Sequence, residues 1–378
     1  MYIKNISLMS FRNIKDTTID FGKGINIFYG DNAQGKTNLL ESVYICSTGR
    51  SQRTRSESQL IKFGYDQAHI RTFVIRENSS DRIDVHLKRD ERKGMAVNGI
   101  PIRKMSEFFG NLTAVIFSPE DLRLVKGGPS ERRRFMDIEL CQLSRLYCHD
   151  LQDYYKILKQ RNNLLKTLYK DRSAEDTLDI WDMQLCACGE RITAKRADFV
   201  KRLCDISGRI HSGITDGKES LSVEYKPNCE EGSMEERLKY HRQRDIALGS
   251  TSCGPHKDDM LFFIDGNDTK SYGSQGQQRT ASLSAKLAEI ELIKSETGEE
   301  PVLLLDDVLS ELDESRQTYL MDNIGNLQTF ITCTGVEDSI GKYIKDCTLY
   351  KDVYKRQCLT FLARLWARVS RVSFLLSL

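Results

Sequence analysis

Gly30-Asp31-Asn32-Ala33-Gln34-Gly35-Lys36-Thr37 is a complete G-x-x-x-x-G-K-[ST] phosphate loop. It follows Gly24-Ile25-Asn26-Ile27-Phe28-Tyr29, a run that predicts a buried strand, and it leads into Asn38-Leu39-Leu40-Glu41-Ser42-Val43, which predicts a helix. Strand, glycine-rich turn and helix are the setting this motif needs, and a chance match would lack them. Gly30 and Gly35 let main-chain N–H groups curl around phosphate oxygens, and the helix N-terminus adds its partial positive charge. Lys36 is placed to reach the β- and γ-phosphates, and Thr37 to offer its hydroxyl to Mg²⁺.

Two distant stretches make sense around the same ligand. Pro301 precedes Val302-Leu303-Leu304-Leu305-Asp306-Asp307. The continuous aliphatic run predicts a parallel strand buried on both faces. Its paired carboxylates fall at the C-terminal edge, where open α/β sheets place their ligands. There Asp306 would hold Mg²⁺ through water and Asp307 would polarise an attacking water. The alternative is a strand end capped by solvated aspartates. The third stretch, Ser274-Gln275-Gly276-Gln277, opens a helix whose apolar residues Leu283, Leu287, Ile290 and Ile293 recur at three- and four-residue steps. A serine and glycine at a helix start form a second anion-binding corner, redundant in one chain unless it serves a second nucleotide. An ordinary capped helix is the plainer alternative.

Longer motifs run collinearly with these: Leu8-Met9-Ser10-Phe11-Arg12-Asn13-Ile14, Phe117-Ser118-Pro119-Glu120-Asp121-Leu122, Gly127-Gly128-Pro129-Ser130-Glu131-Arg132-Arg133-Arg134-Phe135, Gly254-Pro255-His256-Lys257-Asp258-Asp259 and Ser310-Glu311-Leu312-Asp313. Together they resemble the ATP-binding-cassette head shared by SMC proteins and Rad50, and within that group the RecF family, over residues 1–350. The resemblance implies an α/β fold: a phosphate-loop ATPase head with a mixed sheet, plus an inserted antiparallel α-helical lobe. It implies ATP and Mg²⁺ as cofactors, an ATP-dependent homodimer with weak DNA-stimulated ATPase activity, binding to gapped DNA or single–double-strand junctions, and RecR and RecO as partners in loading RecA. By position, Gly30 to Asn38 would hold one ATP, with Arg12 near its base or sugar. Ser274, Gly276 and Gln277 would press on the γ-phosphate held by the other subunit, and Asp313 would sit at the dimer seam. Thr332 and Thr334 occupy the switch position where cassette transporters carry a histidine. Gln275 stands where transporters have the first glycine of Ser-Gly-Gly-Gln. The loop around Pro119 lacks the Mg²⁺-sensing glutamine of other heads, leaving Ser118, Glu120 and Asp121 as candidates.

The expected domains are a head from 1–118 and 250–350, a helical lobe from 119–249 and an atypical tail at 351–378. Met95 to Ile102 predicts a hairpin turning at Asn98-Gly99. Leu143, Tyr147, Leu151, Tyr154, Leu158, Leu165 and Leu168 predict one long helix. Ile192, Phe199, Leu203, Ile206 and Ile210 predict a second, after the polar stretch Lys170 to Asp179. SMC and Rad50 heads put coiled coils of hundreds of residues between phosphate loop and signature. Between Lys36 and Ser274 there is room for a lobe and not for such an arm. After Tyr350-Lys351 an apolar, arginine-bearing tail departs from the family pattern, and it is read as non-native to the gene.

Charge is dense but balanced, 29% with a net +2, which argues against histone-like DNA wrapping and for local patches. Arg50, Arg53 and Arg55, interleaved with hydroxyls, are the DNA-backbone candidates, each weighed against an ordinary solvated face. The clusters Lys88 to Lys93 and Arg132 to Arg134 are alternatives, and Arg132 to Arg134 could instead pair with acids inside the lobe. Eleven cysteines without paired C-x-x-C sets argue against zinc and for a reducing cytosol. No signal-peptide pattern and no apolar run of membrane-spanning length point to a cytoplasmic protein, and the resemblance implies that it is nucleoid-associated. A transporter-type or SMC-like ATPase subunit and a simple phosphotransferase remain the competing classes. The last leaves Ser274 to Gln278 unexplained.

Overall fold

Strand-forming alternation at the N-terminus and apolar runs further on build two separate sheets in one unit. A computed structural model describes residues 1–31, 34–54, 56–334 and 347–351; Asn32, Ala33, Arg55 and the tail from 352 lie outside the described residues. One compact unit comprises Met1–Ile102, Asn111–Pro119 and the described residues from Glu300; the other comprises Arg103–Gly110 and Glu120–Glu299.

In the first unit, Ile14–Asp20, Tyr2–Phe11, Gln67–Ile75, Ser80–Lys88, Gly94–Val97 and Ile100–Pro101 form an antiparallel sheet in that spatial order. Period-2 alternation sends Ile6, Leu8, Ile70, Val74, Ile83 and Val85 inward. The predicted hairpin turns at Asn98 and Gly99, both at positive φ (54° and 81°), as a type I′ turn requires. The second sheet is parallel throughout, in the order Cys347–Lys351, Ile25–Tyr29, Thr329–Cys333, Val302–Asp306, Ala114–Phe117. Val302–Asp306 and Ala114–Phe117 are buried at every residue, and Phe28 stacks on Tyr350 at 4.6 Å between ring centres. The phosphate-loop helix, Lys36–Thr48, buries eleven of its thirteen residues. Buried Gln328 joins the two sheets. Its amide accepts from Ile3 N (2.6 Å) and donates to Ile3 O and Gly22 O (2.8 Å each).

The second unit is mainly helical, with Pro129–Leu143, Arg145–Leu168, Leu178–Ile214, Met234–Leu248 and Gln275–Thr297 packed with a small sheet of Leu221–Lys226, Asp259–Ile264 and Asn267–Asp268. Two of its helices form the expected antiparallel pair, since Asp150 meets Arg191 while Arg161 meets Asp182. The boundaries differ from the sequence reading in two ways. The helix expected from Leu143 to Leu168 starts at Arg145, because Leu143 closes the preceding helix and extended Ser144 accepts from Tyr147 N as the cap of the next. And residues 250–299, expected with the head, cluster instead with the helical unit, because the Gln275–Thr297 helix packs along Leu178–Ile214.

Arginines hold this unit from inside. Arg132 forms a two-pronged contact with Asp259 (2.7 and 2.8 Å), and Arg133 donates to Asp258 O. Thus the first two arginines of the 132–134 cluster are engaged within the unit. Arg196 binds Pro255 O and Asp258. Arg161, wholly buried, reaches Asp182 (2.6 Å), Asp245 (2.8 Å) and Thr251 (2.8 Å). Replacing one partner of such a buried set strands the opposite charges without water. Arg161→Met should therefore destabilise this unit by about 3–5 kcal/mol. Denaturation followed by circular dichroism checks it; an unchanged transition would show that water reaches these aspartates.

Candidate functional site

All strands of the parallel sheet end at one edge, and three of those ends carry chemistry. Tyr29 runs into Gly30, Asp306 into Asp307, and Thr332 lies beside Asp306 in register on the strand between them. Gly30 (φ 146°) and Gly35 (φ 83°) adopt backbone that favours glycine, and Gly35 is the N-cap of the Lys36–Thr48 helix. The Lys36 ammonium donates to Gly30 O (2.6 Å) and Asp31 O (2.9 Å), which holds the side chain along its own loop.

The Asp306 carboxylate gathers both sides of this edge. Thr37 Oγ1 and Thr332 Oγ1 each donate to Asp306 Oδ1 at 2.9 Å, and Thr332 Oγ1 also accepts from Asp307 N at 3.0 Å. Burial pushes the Asp306 carboxyl above its ordinary value; the two hydroxyl hydrogen bonds and Arg53 oppose the rise, while neighbouring Asp307 adds to it. Asp307 takes a left-handed backbone (φ 54°), uncommon for a non-glycine residue and tolerated best by Asn and Asp. A hydroxyl and a carboxylate 2.9 Å apart at a helix N-terminus are hard oxygen donors that fit Mg²⁺. Of the threonines expected at the switch, Thr332 is buried and bonded to both acids, whereas Thr334 is exposed.

A cavity of about 770 Å³ opens here, lined by residues that include Arg12, Gln34, Lys36, Thr37, Asn38, Arg53 and Asp307. Sequence reasoning missed the residue that sets its wall. Glu41, fully buried, accepts two bonds from Arg12 (2.7 and 2.9 Å) and one from Ser51 (2.5 Å), with Arg53 3.7 Å away. Its only sequence signal is that it is the single acidic residue of its helix. Arg53, read as a DNA candidate, lines this cavity and donates to Asn38 Oδ1 (3.1 Å); Arg50 is exposed and Arg55 lies outside the described residues.

In the helical unit, Ser274 caps the Gln275–Thr297 helix. Ser274 Oγ accepts from Gln277 N (3.2 Å), and Gln277 Oε1 accepts from Ser274 N (2.8 Å), a reciprocal capping box. Gln277 Nε2 donates to Glu219 (3.0 Å). Asp313 caps its own helix by accepting from Arg316 N (2.9 Å).

The sequence family described as the RecF/RecN/SMC N terminal domain matches residues 2–344. "DNA replication and repair protein RecF" of Lachnoclostridium phytofermentans is 49% identical over 93% of this chain and 98% of its own length. A solved structure of the recombination mediator protein RecF with ATP is 36% identical, with a TM-score of 0.87 over 93% of this chain and 95% of that one. An Smc head domain from Pyrococcus furiosus, 14% identical with a TM-score of 0.55 over 99% of both chains, shares the fold. A family model spanning nearly the whole chain, together with relatives about half identical over almost all of their own length, shows that the protein belongs to the RecF family of DNA replication and repair proteins.

Proposed function

We propose that this chain is an ATP-dependent DNA-binding protein of recombinational repair and replication-fork maintenance. Two copies close on ATP and hold gapped DNA or single–double-strand junctions, helping RecR- and RecO-type mediators to load RecA. The observation that carries the reading is the hydroxyl–carboxylate contact of Thr37 with Asp306, beside Lys36 on a glycine loop. Near-full-length likeness to RecF proteins supports this reading over a transporter subunit, an SMC-like arm or a phosphotransferase.

In this reading each residue has a part. Backbone N–H groups of the loop and the helix N-terminus bind phosphate oxygens. Lys36 exchanges its loop carbonyls for the β- and γ-phosphates. Thr37 and Asp306 would hold Mg²⁺, which when bound neutralises charge developing on the phosphates. Asp307, fixed by Thr332 through its N–H, orients the attacking water. Ser274, Gly276 and Gln277 of one copy meet the γ-phosphate held by the other. DNA is held by phosphate contacts, with exposed Arg50 the first candidate; Arg53, at the cavity wall, would report on the nucleotide as well.

Titrating gapped DNA with and without ATP tests the reading. Wild-type affinity should rise with ATP and fall steeply with salt, and Lys36→Ala should lose both ATP binding and the ATP-dependent gain. Equal DNA affinity with and without ATP in the wild type would remove the switch. Ser274→Arg should leave ATP binding intact while blocking ATP-induced dimerisation, because the long cation displaces the hydroxyl. The lost cap costs only about 1 kcal/mol against a largely buried helix. Sedimentation with ATP reads the outcome; normal dimers would rule out the trans contact. Asp307→Asn should slow hydrolysis at least tenfold while sparing ATP binding, since Asn accepts the same left-handed backbone but cannot polarise water. Wild-type turnover in that variant would move the role to another residue.

A further inference from the structure

The capping box at Ser274 closes within its own four residues, yet Gln277 carries one more bond than a cap requires. Its amide Oε1 accepts from Ser274 N (2.8 Å), a group that can only donate. That contact fixes which way the amide faces and leaves Nε2 in need of an acceptor. Glu219 Oε1 supplies it at 3.0 Å. The second carboxylate oxygen, Oε2, lies 3.2 Å from Nε2 of His211, a wholly buried ring whose Nδ1 is 3.2 Å from Ser284 Oγ. Ser284 in turn donates to Thr280 O (2.8 Å), and Thr280 Oγ1 donates to Gly276 O (2.8 Å). The run of contacts thus leaves the Gln275–Thr297 helix at Gln277 and rejoins it further along, at Ser284.

Local chemistry explains why a carboxylate stands at this spot. His211 lies in the last turn of the Leu178–Ile214 helix. The chain then reverses through Asp216 and Gly217, both left-handed (φ 52° and 72°), with Gly217 N donating to Ser212 O (2.8 Å) and Lys218 N to Thr215 O (3.1 Å). On the far side Ser220 is pinned to Asp265. Its N–H donates to Asp265 Oδ1 (2.9 Å) and its carbonyl accepts from Asp265 N (2.9 Å). Glu219 is held between these two fixed points. It is half-buried, whereas Ser274 is exposed.

Without a second partner, the Gln277 amide is free to turn over. Nε2 would then face the Ser274 N–H, donor against donor, and the box would open. Glu219 opposes that flip from the other side, because a carboxylate accepts and does not donate. We propose that Glu219 is a positioning residue for the Ser274–Gln277 corner: by fixing the Gln277 amide it presets the groups that meet the nucleotide of the other copy. The proposal rests on the trans reading of that corner and adds to it a residue from outside the motif.

The test measures ATP-induced dimerisation of the full chain by sedimentation with ATP and Mg²⁺, alongside ATP affinity and thermal unfolding. Glu219→Ala should weaken dimerisation roughly tenfold, as expected for losing one hydrogen bond to a charged group, and leave ATP affinity and the unfolding transition unchanged. Glu219→Gln should recover dimerisation. Its amide oxygen accepts from Gln277, and its nitrogen can face His211, whose ring nitrogens exchange donor and acceptor roles. Glu219→Lys, which presents donors alone, should dimerise most weakly of the three. Ser274→Arg separates the two readings, since normal dimers in that variant end the trans reading itself. With Ser274→Arg blocked, three results would overturn the proposal: wild-type dimerisation in Glu219→Ala, dimerisation in Glu219→Gln as weak as in Glu219→Ala, or a loss of dimers that tracks a lowered unfolding transition.

Discussion

A single carboxylate oxygen, Asp306 Oδ1, receives hydroxyl hydrogen bonds from Thr37 and Thr332, and the chemical edge of the first unit is organised around it. The three residues come from distant parts of the chain and meet because parallel strands end together. Thr332 does more than bridge. By accepting from Asp307 N it holds that residue in its left-handed turn, so the two acids are set at different depths: Asp306 buried, Asp307 at the cavity. This separation suits two roles, a buried carboxylate for a cation and a solvent-facing one for water.

The legible features were those written in contiguous residues. A phosphate loop between strand and helix, a four-residue aliphatic run ending in aspartates and an Asn-Gly hairpin each declare themselves locally. The Ser274 corner also read correctly as a helix start, since its capping partner is three residues on. What the sequence hid depends on contacts between distant segments. Glu41 looks like one polar residue in a helix, yet it holds Arg12 and Ser51 from either side. Arg53 reads as a nucleic-acid arginine until the fold lays it along the cavity wall. The long helix expected from Leu143 to Leu168 is present but starts two residues later, at Arg145, because Leu143 ends the preceding helix and Ser144 caps the next.

Charge counting misleads in the same way. Some arginines never face solvent: Arg132, Arg161 and Arg196 are at most 3% exposed and each is paired with an internal carboxylate. Buried Lys286 sits over the Phe135 ring and against Glu289; burial alone would lower its pKa, but Glu289, Asp121 and Glu139 raise it above the ordinary range. Glu139 nearby is pushed well upward, first by burial and then by Glu289. A dense, nearly neutral composition here partly records an interior built on ion pairs, and the surface left for DNA is smaller than the sequence suggests.

The Ser274 cap has one more implication. Ser274 Oγ stabilises the helix as an acceptor, taking the Gln277 N–H. A hydroxyl is also a donor, and that second capacity is untouched by capping. The same oxygen can anchor its own helix and hand a proton to an anionic oxygen at once. Gln277, locked to the Ser274 N–H and to Glu219, is immobilised in the same act. The rotamer entropy of both side chains is thus already lost in the folded monomer, so in the proposed closed dimer association would not have to order this corner.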